Sequence, residues 1–461
     1  MTIIHGLDWQ DFGRSLEGIP FSLEPPRVKE KSRDFYWFSP VLRRTLCSKY
    51  GDILVMPRSE ADVMKVAKRC VEWKVPLTVR GAGTGNYGQA MPLEGGVILE
   101  MTVMNTIRWL RPGMIRCEAG LKLIDLDTEV QKMGWELRLH PSTKRTATLG
   151  GFVAGGSSGI GAIQYGLLRD PGNINGLRIV TLEDKPQALE LRGPDIQKVN
   201  HAYGTNGIIT ELTMPLSPAY PWTDMLVAFD DFMAAARFAQ VLSQADGIIK
   251  KEISVYAWPI PAYFKPIRAS CPAGKAIAIV MVAEPSEEAF QFLVTACGGQ
   301  LTYRRSGAEA KRTVPLYEFT WNHTTLHALK ADRSITYLQS LFPPGRNLEL
   351  AEHMIATFGE EVPMHLEFVR LEGQIGCFGI QLLKFHSEER LNEIIRYHED
   401  HGVPVFNPHT STLEDGGMKV VDPLQLGFKR EVDPYGLLNP GKMRGWWEDK
   451  TVQVHDGALY R

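Results

Sequence analysis

The segment Val79-Arg80-Gly81-Ala82-Gly83-Thr84-Gly85-Asn86-Tyr87-Gly88-Gln89-Ala90 carries four glycines in eight positions, directly behind the apolar run Val75-Pro76-Leu77-Thr78-Val79. Glycine lets a backbone turn through φ > 0 and approach another group with no Cβ between them. Successive N–H groups in such a turn can converge on an anion, so the chemistry on offer is the grip of a phosphate or pyrophosphate. A nucleotide-containing cofactor is expected. A Walker loop would need Gly-Lys followed by Ser or Thr, and Gly85 is followed by Asn86. A dinucleotide fingerprint would open a helix on a third spaced glycine, whereas Tyr87 stands there and Met91–Gly96 reads as a turn.

Three further blocks carry the same chemistry. Pro141-Ser142 leads into Thr148-Leu149-Gly150-Gly151, then Gly155-Gly156-Ser157-Ser158-Gly159, and closes on Tyr165-Gly166. Tyr203-Gly204-Thr205-Asn206-Gly207-Ile208-Ile209-Thr210-Glu211 runs into an alternating strand, and Asp433–Lys442 contains Asn439-Pro440-Gly441-Lys442. Proton transfer near neutral pH falls most readily to histidine. Of the 12 histidines, His323 and His327 lie four apart after Trp321-Asn322, one face of a turn if that stretch is helical. His365 and Glu367 share a strand face, and His409 sits in Phe406-Asn407-Pro408-His409-Thr410. At least one of His323, His365 and His409 is expected to face the reacting centre, with Tyr317, four before Trp321, as a further catalytic candidate.

The elements that must position these groups alternate between strand and helix. Ile53–Pro57 reads as a buried strand. Ser59 then caps a helix to Lys74 with Val63, Val66, Ala67 and Cys70 on one face. Val97–Met101 and Met114–Glu118 continue as strands and Leu121–Met133 as a helix. Beyond Pro215 and Ser217–Pro221 the pattern restarts. Strands are expected at Met225–Phe229, Lys251–Trp258, Ala276–Ala283, Gln300–Arg304, His365–Leu371 and Gly376–Leu383, and helices at Asp231–Ser243, Ser286–Ala296 and Ser387–His401. The fold class is α+β, in two parts. The expected division is an arm over 1–40, a cofactor domain over 41–215, a cap over 216–405 built on a mixed or antiparallel sheet, and a return to the first domain over 406–461.

The chain has 461 residues, enough for two cores, with 23% charged residues and a net charge of −2. That balance provides no field for a polyanion, so nucleic acid is not an expected partner. The longest clean apolar run, Ala276–Ala283, is far short of a bilayer span of about 20 residues, and Met1–Asp8 lacks the charged and apolar parts of a leader. A cytoplasmic location is expected. Six scattered cysteines form no Cys-x-x-Cys pair, so no metal or cluster is expected and any electron acceptor must lie outside the chain.

The four blocks, in this order and spacing, resemble the FAD-binding domain of the p-cresol methylhydroxylase and vanillyl-alcohol oxidase superfamily. Within it the chain is similar to FAD-linked oxidases such as the glycolate oxidase D subunit and the D-lactate dehydrogenases, over roughly residues 40–215 and 400–445. The resemblance implies FAD, with the backbone of Gly81, Ala82, Gly83, Thr84 and Gly85 on the pyrophosphate and Asn86 beginning the side-chain contacts. Pro141, Ser142, Gly150, Gly151, Gly155 and Ser158 would line the ribityl chain and ring edge, and Ile209 the adenine side. Arg80, Thr148, Gly207 and Asn439 complete the implied set, and Lys442 is a candidate for a phosphate contact or for the cation beside a reduced ring. Thr84 stands where tethering relatives carry His, and Ser142, Thr143 and Lys144 where a second tether needs Cys. FAD is therefore expected to be non-covalent, with a tether from a cap residue left open.

The implied reaction is that of a dehydrogenase or oxidase. It takes hydride from a C–OH, benzylic or C–N carbon and passes electrons to oxygen, a quinone, a cytochrome or an electron-transfer flavoprotein. A non-catalytic flavin-fold subunit and an NADPH-driven reductase are the alternatives, and a homodimer is the family's expectation. One departure bears on substrate. The Gly-Asp-Gly-Asn and Gly-Glu-His-Gly-Ile-Gly segments of the 2-hydroxy-acid dehydrogenases are missing, and Val405–Gly417 takes the place of the second. That argues against a lactate-like substrate and a bound zinc or iron. The aromatics Trp258, Tyr263, Phe264, Tyr317, Phe319, Trp321, Phe368 and Phe378 would suit an aromatic or otherwise apolar substrate, Tyr317 and Trp321 above all.

Overall fold

The computed structural model describes residues 7–156, 158–310 and 314–448. The reading of Met1–Asp8 therefore falls mostly outside the described residues, as does the return beyond residue 448.

A small sheet opens the fold. Ile53–Val55, Val97–Glu100 and Leu77–Arg80 run parallel in that spatial order. All three are largely apolar, with Thr78, Arg80 and Glu100 the exceptions, and almost wholly buried, as a parallel sheet covered on both faces requires. The helix Glu60–Trp73 lies over them, its Ser59 cap accepting from Asp62 N at 3.2 Å. Leu77–Arg80 ends at the glycine loop, so the loop emerges from a strand end. The return of the chain extends this sheet: Leu77 N donates to Leu437 O and Asn439 N to Leu77 O.

The first forty residues are not a surface appendage. Phe21–Ser22 pairs antiparallel with Val55 and Leu54, and the helix Trp9–Ser15 buries Phe12 completely in the core of this sheet. Polar, proline-broken composition hid a chain that contributes only one or two core side chains per short helix.

A second sheet has the order Ile107–Arg111, Met114–Glu118, Ile208–Pro218, Gly176–Val180, Ala188–Leu191, with Trp135–Leu137 also on the long strand. That strand runs to Pro218, past the boundary expected at 215.

The cap is a seven-stranded antiparallel sheet. Alternation along its strands separates two cores. Met225, Val227 and Phe229 face the helices Phe232–Gln244, Glu287–Ala296 and Asn347–Phe358, while Leu226 and Ala228 face the cofactor domain. A cavity is left between that second face and the glycine blocks. Among the described residues no helix is long and apolar enough to cross a membrane.

Phe12 is fully buried and meets Trp73 edge-on at 5.5 Å. We predict that Phe12→Ala lowers stability by about 3–5 kcal/mol, read as a drop in the denaturant midpoint, because a large aromatic leaves a cavity the sheet cannot close.

Candidate functional site

The glycine loop and the second glycine block face each other across a continuous channel. Its narrow end is lined by Gly81–Gly85, Thr148, Gly150, Gly151, Gly155, Gly204, Gly207 and Ile209. Its wider end has about 210 Å³ of open space and reaches Thr84, Asn86, Pro141, Ser142, Ser158, Arg169, His201, Trp321, Asn322, His323 and Phe378. Thr84, Gly85, Gly151, Gly155 and Tyr203 border both ends, so the two form one slot.

Glycine is required at particular points of this wall. Gly83 has φ +68°, and a Cβ there would run into the Arg80 guanidinium. A Cβ on Gly150 would meet the Ala119 Cβ at 2.7 Å. On Gly155 and Gly204 a Cβ would meet no protein atom within 4 Å and would stand in the channel itself. The backbone N–H groups of Ala82, Gly83, Thr84, Gly85 and Asn86 find no acceptor among the described residues. These residues are half-buried, Asn86 apart, and five successive donors open to a channel wall fit an anionic group such as a pyrophosphate.

Behind the wall, charges hold the loop. Arg80 donates to the carbonyls of Lys31, Arg33 and Ala82. Lys442 is fully buried and donates to Gly88 O. Burial pushes its ammonium down to about 7 and the neighbouring Asp34 carboxyl up to about 6. Asn439 donates to the carbonyls of Gln89 and Tyr203. Arg80, Asn439 and Lys442, expected among the cofactor contacts, thus stand off the channel wall and brace it. The rest of the expected set lies on the wall.

The expected catalytic residues separate more sharply. Only His323 reaches the channel. Burial, reinforced by His327 and Lys330, holds its imidazole down at about 4. His365 is buried between Ile380 O and Glu367, 2.7 Å from the latter's Oε1. His409 lies between Ser39 Oγ at 2.8 Å and Tyr337 O at 3.0 Å. Tyr317 packs edge-on against His140 at 5.1 Å. All three are off the wall: their polar partners or ring contacts are inside the protein. Of the eight cap aromatics, Trp321 and Phe378 border the channel and the others do not.

Trp321 is also strained. At φ 51° and ψ −141° it occupies a region that side chains avoid, at a cost of order 1–3 kcal/mol. It caps the helix Asn322–Ala331 and sets the next two residues against the channel. Sequence reasoning missed His201 and Arg169. His201 has φ 56° and an imidazole held down at about 4 by burial and by Arg169. Arg169, exposed at the wide end, is the one lysine or arginine among the described residues on the wall. The only signal for His201 was its place two residues before Tyr203-Gly204. Gly416 and Gly417, within the quoted 405–417 segment, come from a π-helical turn, Glu414–Met418, a rare element found often at functional sites. Among the described residues no group of three His, Cys, Asp or Glu is placed to hold a metal.

Comparison with known proteins agrees with this geometry. Residues 51–185 match the family described as "FAD binding domain". The chain is 33% identical over 180 residues to a D-lactate dehydrogenase of Anaerostipes hadrus, covering 36% of this chain and 37% of that protein. It is 29% identical over 205 residues to the glycolate oxidase subunit GlcD of Escherichia coli (strain K12), covering 43% and 41%. These matches span about two-fifths of the relatives' length. In fold the likeness extends further. A solved alkyldihydroxyacetonephosphate synthase superposes with a TM-score of 0.70 at 16% identity, over 95% of this chain and 85% of that one. The chain therefore carries an FAD-binding domain of the p-cresol methylhydroxylase type, and FAD is its cofactor.

Because Gly155 lines the channel and a Cβ there meets no described atom within 4 Å, Gly155→Leu should separate binding from folding. We expect the apoprotein to melt within a few degrees of wild type, while FAD affinity falls by at least about tenfold in a flavin fluorescence titration.

Proposed function

We propose that this protein is an FAD-dependent oxidoreductase that oxidises the C–OH carbon of a small hydroxy acid held at the wide end of the channel. One observation carries the reading: a single slot has unpaired backbone donors at one end and a neutral histidine at the other. When bound, FAD supplies the hydride acceptor, at its ring nitrogen N5. The backbone of Gly81–Gly85 would hold the pyrophosphate, and Pro141, Ser142, Gly151, Gly155 and Ser158 the middle of the cofactor. His323 takes the hydroxyl proton. Its low pKa leaves it unprotonated across neutral pH, which is the state a base needs. Asn322 is beside it, with an Oδ1 that is buried and without a partner among the described residues. That atom can accept a hydrogen bond from substrate.

Arg169 orients the acid. An exposed guanidinium at the channel mouth can bind a carboxylate. Trp321, Phe378 and Phe406 close the wide end with apolar surface and keep water from the reacting carbon. The names of the similar proteins, D-lactate dehydrogenase and glycolate oxidase subunit, support a hydroxy acid over an amine or a phenol.

The test is anaerobic mixing of the flavin-loaded protein with a panel of 2-hydroxy acids, simple alcohols, phenols and amines. Bleaching of flavin absorbance by a hydroxy acid is the expected result. Bleaching by NADPH alone would move the assignment to a reductase, and no response to any compound would leave the dehydrogenase reading without support.

Two variants refine it. His323→Gln should cut the rate of flavin reduction by about 10²–10⁴-fold. In wild type, kcat/KM should hold steady through neutral pH and fall as pH drops through about 4, where the imidazole gains its proton. Arg169→Gln should raise KM about tenfold with little change in kcat, the pattern of lost ground-state binding.

A further inference from the structure

Two neighbouring cap strands bring titratable side chains together behind the channel wall. Ser254 pairs in register with Glu367 and Tyr256 with His365. Residues two apart share a face, so Glu252, Ser254, Tyr256, His365 and Glu367 meet on one side of the sheet. All are buried, and Tyr256 stacks on His365 with centroids 4.4 Å apart. No lysine or arginine among the described residues acts on either carboxyl.

The hydrogen bonds in this cluster fix where its protons sit. His365 Nδ1 lies 3.2 Å from Ile380 O, which can only accept, so Nδ1 carries the proton of the neutral ring. Nε2 is then an acceptor, and its 2.7 Å contact with Glu367 Oε1 needs a proton from the carboxyl. Ser254 Oγ contacts both Glu252 Oε1, at 2.8 Å, and Glu367 Oε2. One hydroxyl proton serves one of these, so a carboxyl proton must serve the other. With His365 neutral, one arrangement satisfies these contacts without placing an ion in the cluster. Glu252 donates to Ser254, Ser254 donates to Glu367 Oε2, and Glu367 Oε1–H donates to His365. Burial favours the same arrangement, pushing both carboxyls up and His365 down to about 3.

Glu367 Oε1 has a second partner, the backbone N–H of Trp321. That N–H belongs to the residue with the strained backbone, whose turn sets Asn322 and His323 on the channel.

We propose that Glu367, as a carboxylic acid, is the positioning residue for the Trp321–His323 turn. Its Oε1 must donate to His365 and accept from Trp321 at once, and only a hydroxyl oxygen can do both. The consequence for catalysis rests on the reading of His323 as the base. The structural claim does not.

That requirement gives opposite expectations for the same change at adjacent residues. In Glu252→Gln an amide N–H can replace the carboxyl proton toward Ser254 and Glu367, so the bond between Glu367 Oε1 and Trp321 N is kept. In Glu367→Gln, an oxygen at the Oε1 position keeps Trp321 and loses His365, and a nitrogen does the reverse. In the double variant His365→Gln/Glu367→Gln, residue 365 regains a donor and residue 367 can present its oxygen to Trp321.

The experiment is hydrogen exchange of the FAD-loaded protein, read at the amides of Trp321–His323, with turnover measured alongside. Expected are wild-type protection in Glu252→Gln, an exchange rate at least about tenfold higher in Glu367→Gln, and recovery in the double variant. kcat should follow the same order with KM little changed. Undisturbed protection in Glu367→Gln, or equal loss in Glu252→Gln, overturns the proposal. Should Glu367→Gln fail to fold, the double variant carries the test: wild-type protection there supports the proposal, and its loss overturns it. If His323→Gln keeps full turnover while Glu367→Gln still loosens the turn, the base assignment falls and the positioning role stands.

Discussion

The channel exists because glycine backbone packs against its neighbours where a side chain would prevent it. A Cβ on Gly81 would fall on the Thr148 hydroxyl, on Gly120 on the carbonyls of Met101 and Met104, on Gly150 on Ala119, and on Gly159 on the carbonyl of His140. These four contacts pull the strand-end loop, the second glycine block and the central sheet closer than ordinary packing allows. The opposite is true of Gly155 and Gly204, whose missing Cβ atoms leave space that no protein atom fills. One residue type thus does two different things, closing the protein around the slot and keeping the slot open.

So close an approach leaves the loop few contacts of its own, and buried charge from distant parts of the chain supplies them. Asp34 from the first forty residues accepts from the amides of Tyr36 and Ala90. Arg80 reaches back to the same stretch, and Lys442 comes in from the C-terminal return to Gly88. An ion in such a place is costly unless it is fully hydrogen-bonded. Here each one binds backbone that has no secondary structure to satisfy it. The loop is thus braced by residues far apart in the chain, Lys31 and Asp34 on one side and Lys442 on the other.

How much of this was legible in the sequence depended on whether a feature repeats locally. Strands such as Met114–Glu118, Ala276–Ala283 and His365–Leu371 have the expected boundaries, since two-residue alternation and short apolar runs are local properties. The glycine blocks were legible for the same reason. The arm was not, because Phe12 and Leu16 are single buried residues in a polar stretch. Lys442 and Arg80 were read as cofactor contacts because their neighbours in sequence are. Their side chains turn the other way, and no periodicity records that. Among the histidines the sequence offered three without rank. His365 and His409 are tied up by partners distant in the chain, Ile380 with Glu367 and Ser39 with Tyr337 respectively. Only the fold could tell them from His323.

Backbone strain marks the site more selectively than residue type does. Eight non-glycine residues have positive φ among the described residues: Glu17, Lys74, His201, Tyr203, Trp321, Glu372, Lys419 and Asn439. Lys74 is a helix C-cap, where a left-handed residue is ordinary. His201, Tyr203 and Trp321 border the channel, and Asn439 grips the loop beside it through Gln89 and Tyr203. Each of these four has its backbone N–H held by an acceptor from elsewhere in the fold. His201 N is bound to Val153 O, Tyr203 N to Ala154 O, Asn439 N to Leu77 O and Trp321 N to Glu367. In three of the four the restraining acceptor is a backbone carbonyl, which cannot change its protonation. In the fourth it is a carboxyl that must hold a proton to satisfy its other partner. The turn that sets His323 on the channel is therefore the one strained element of the wall whose restraint can be titrated.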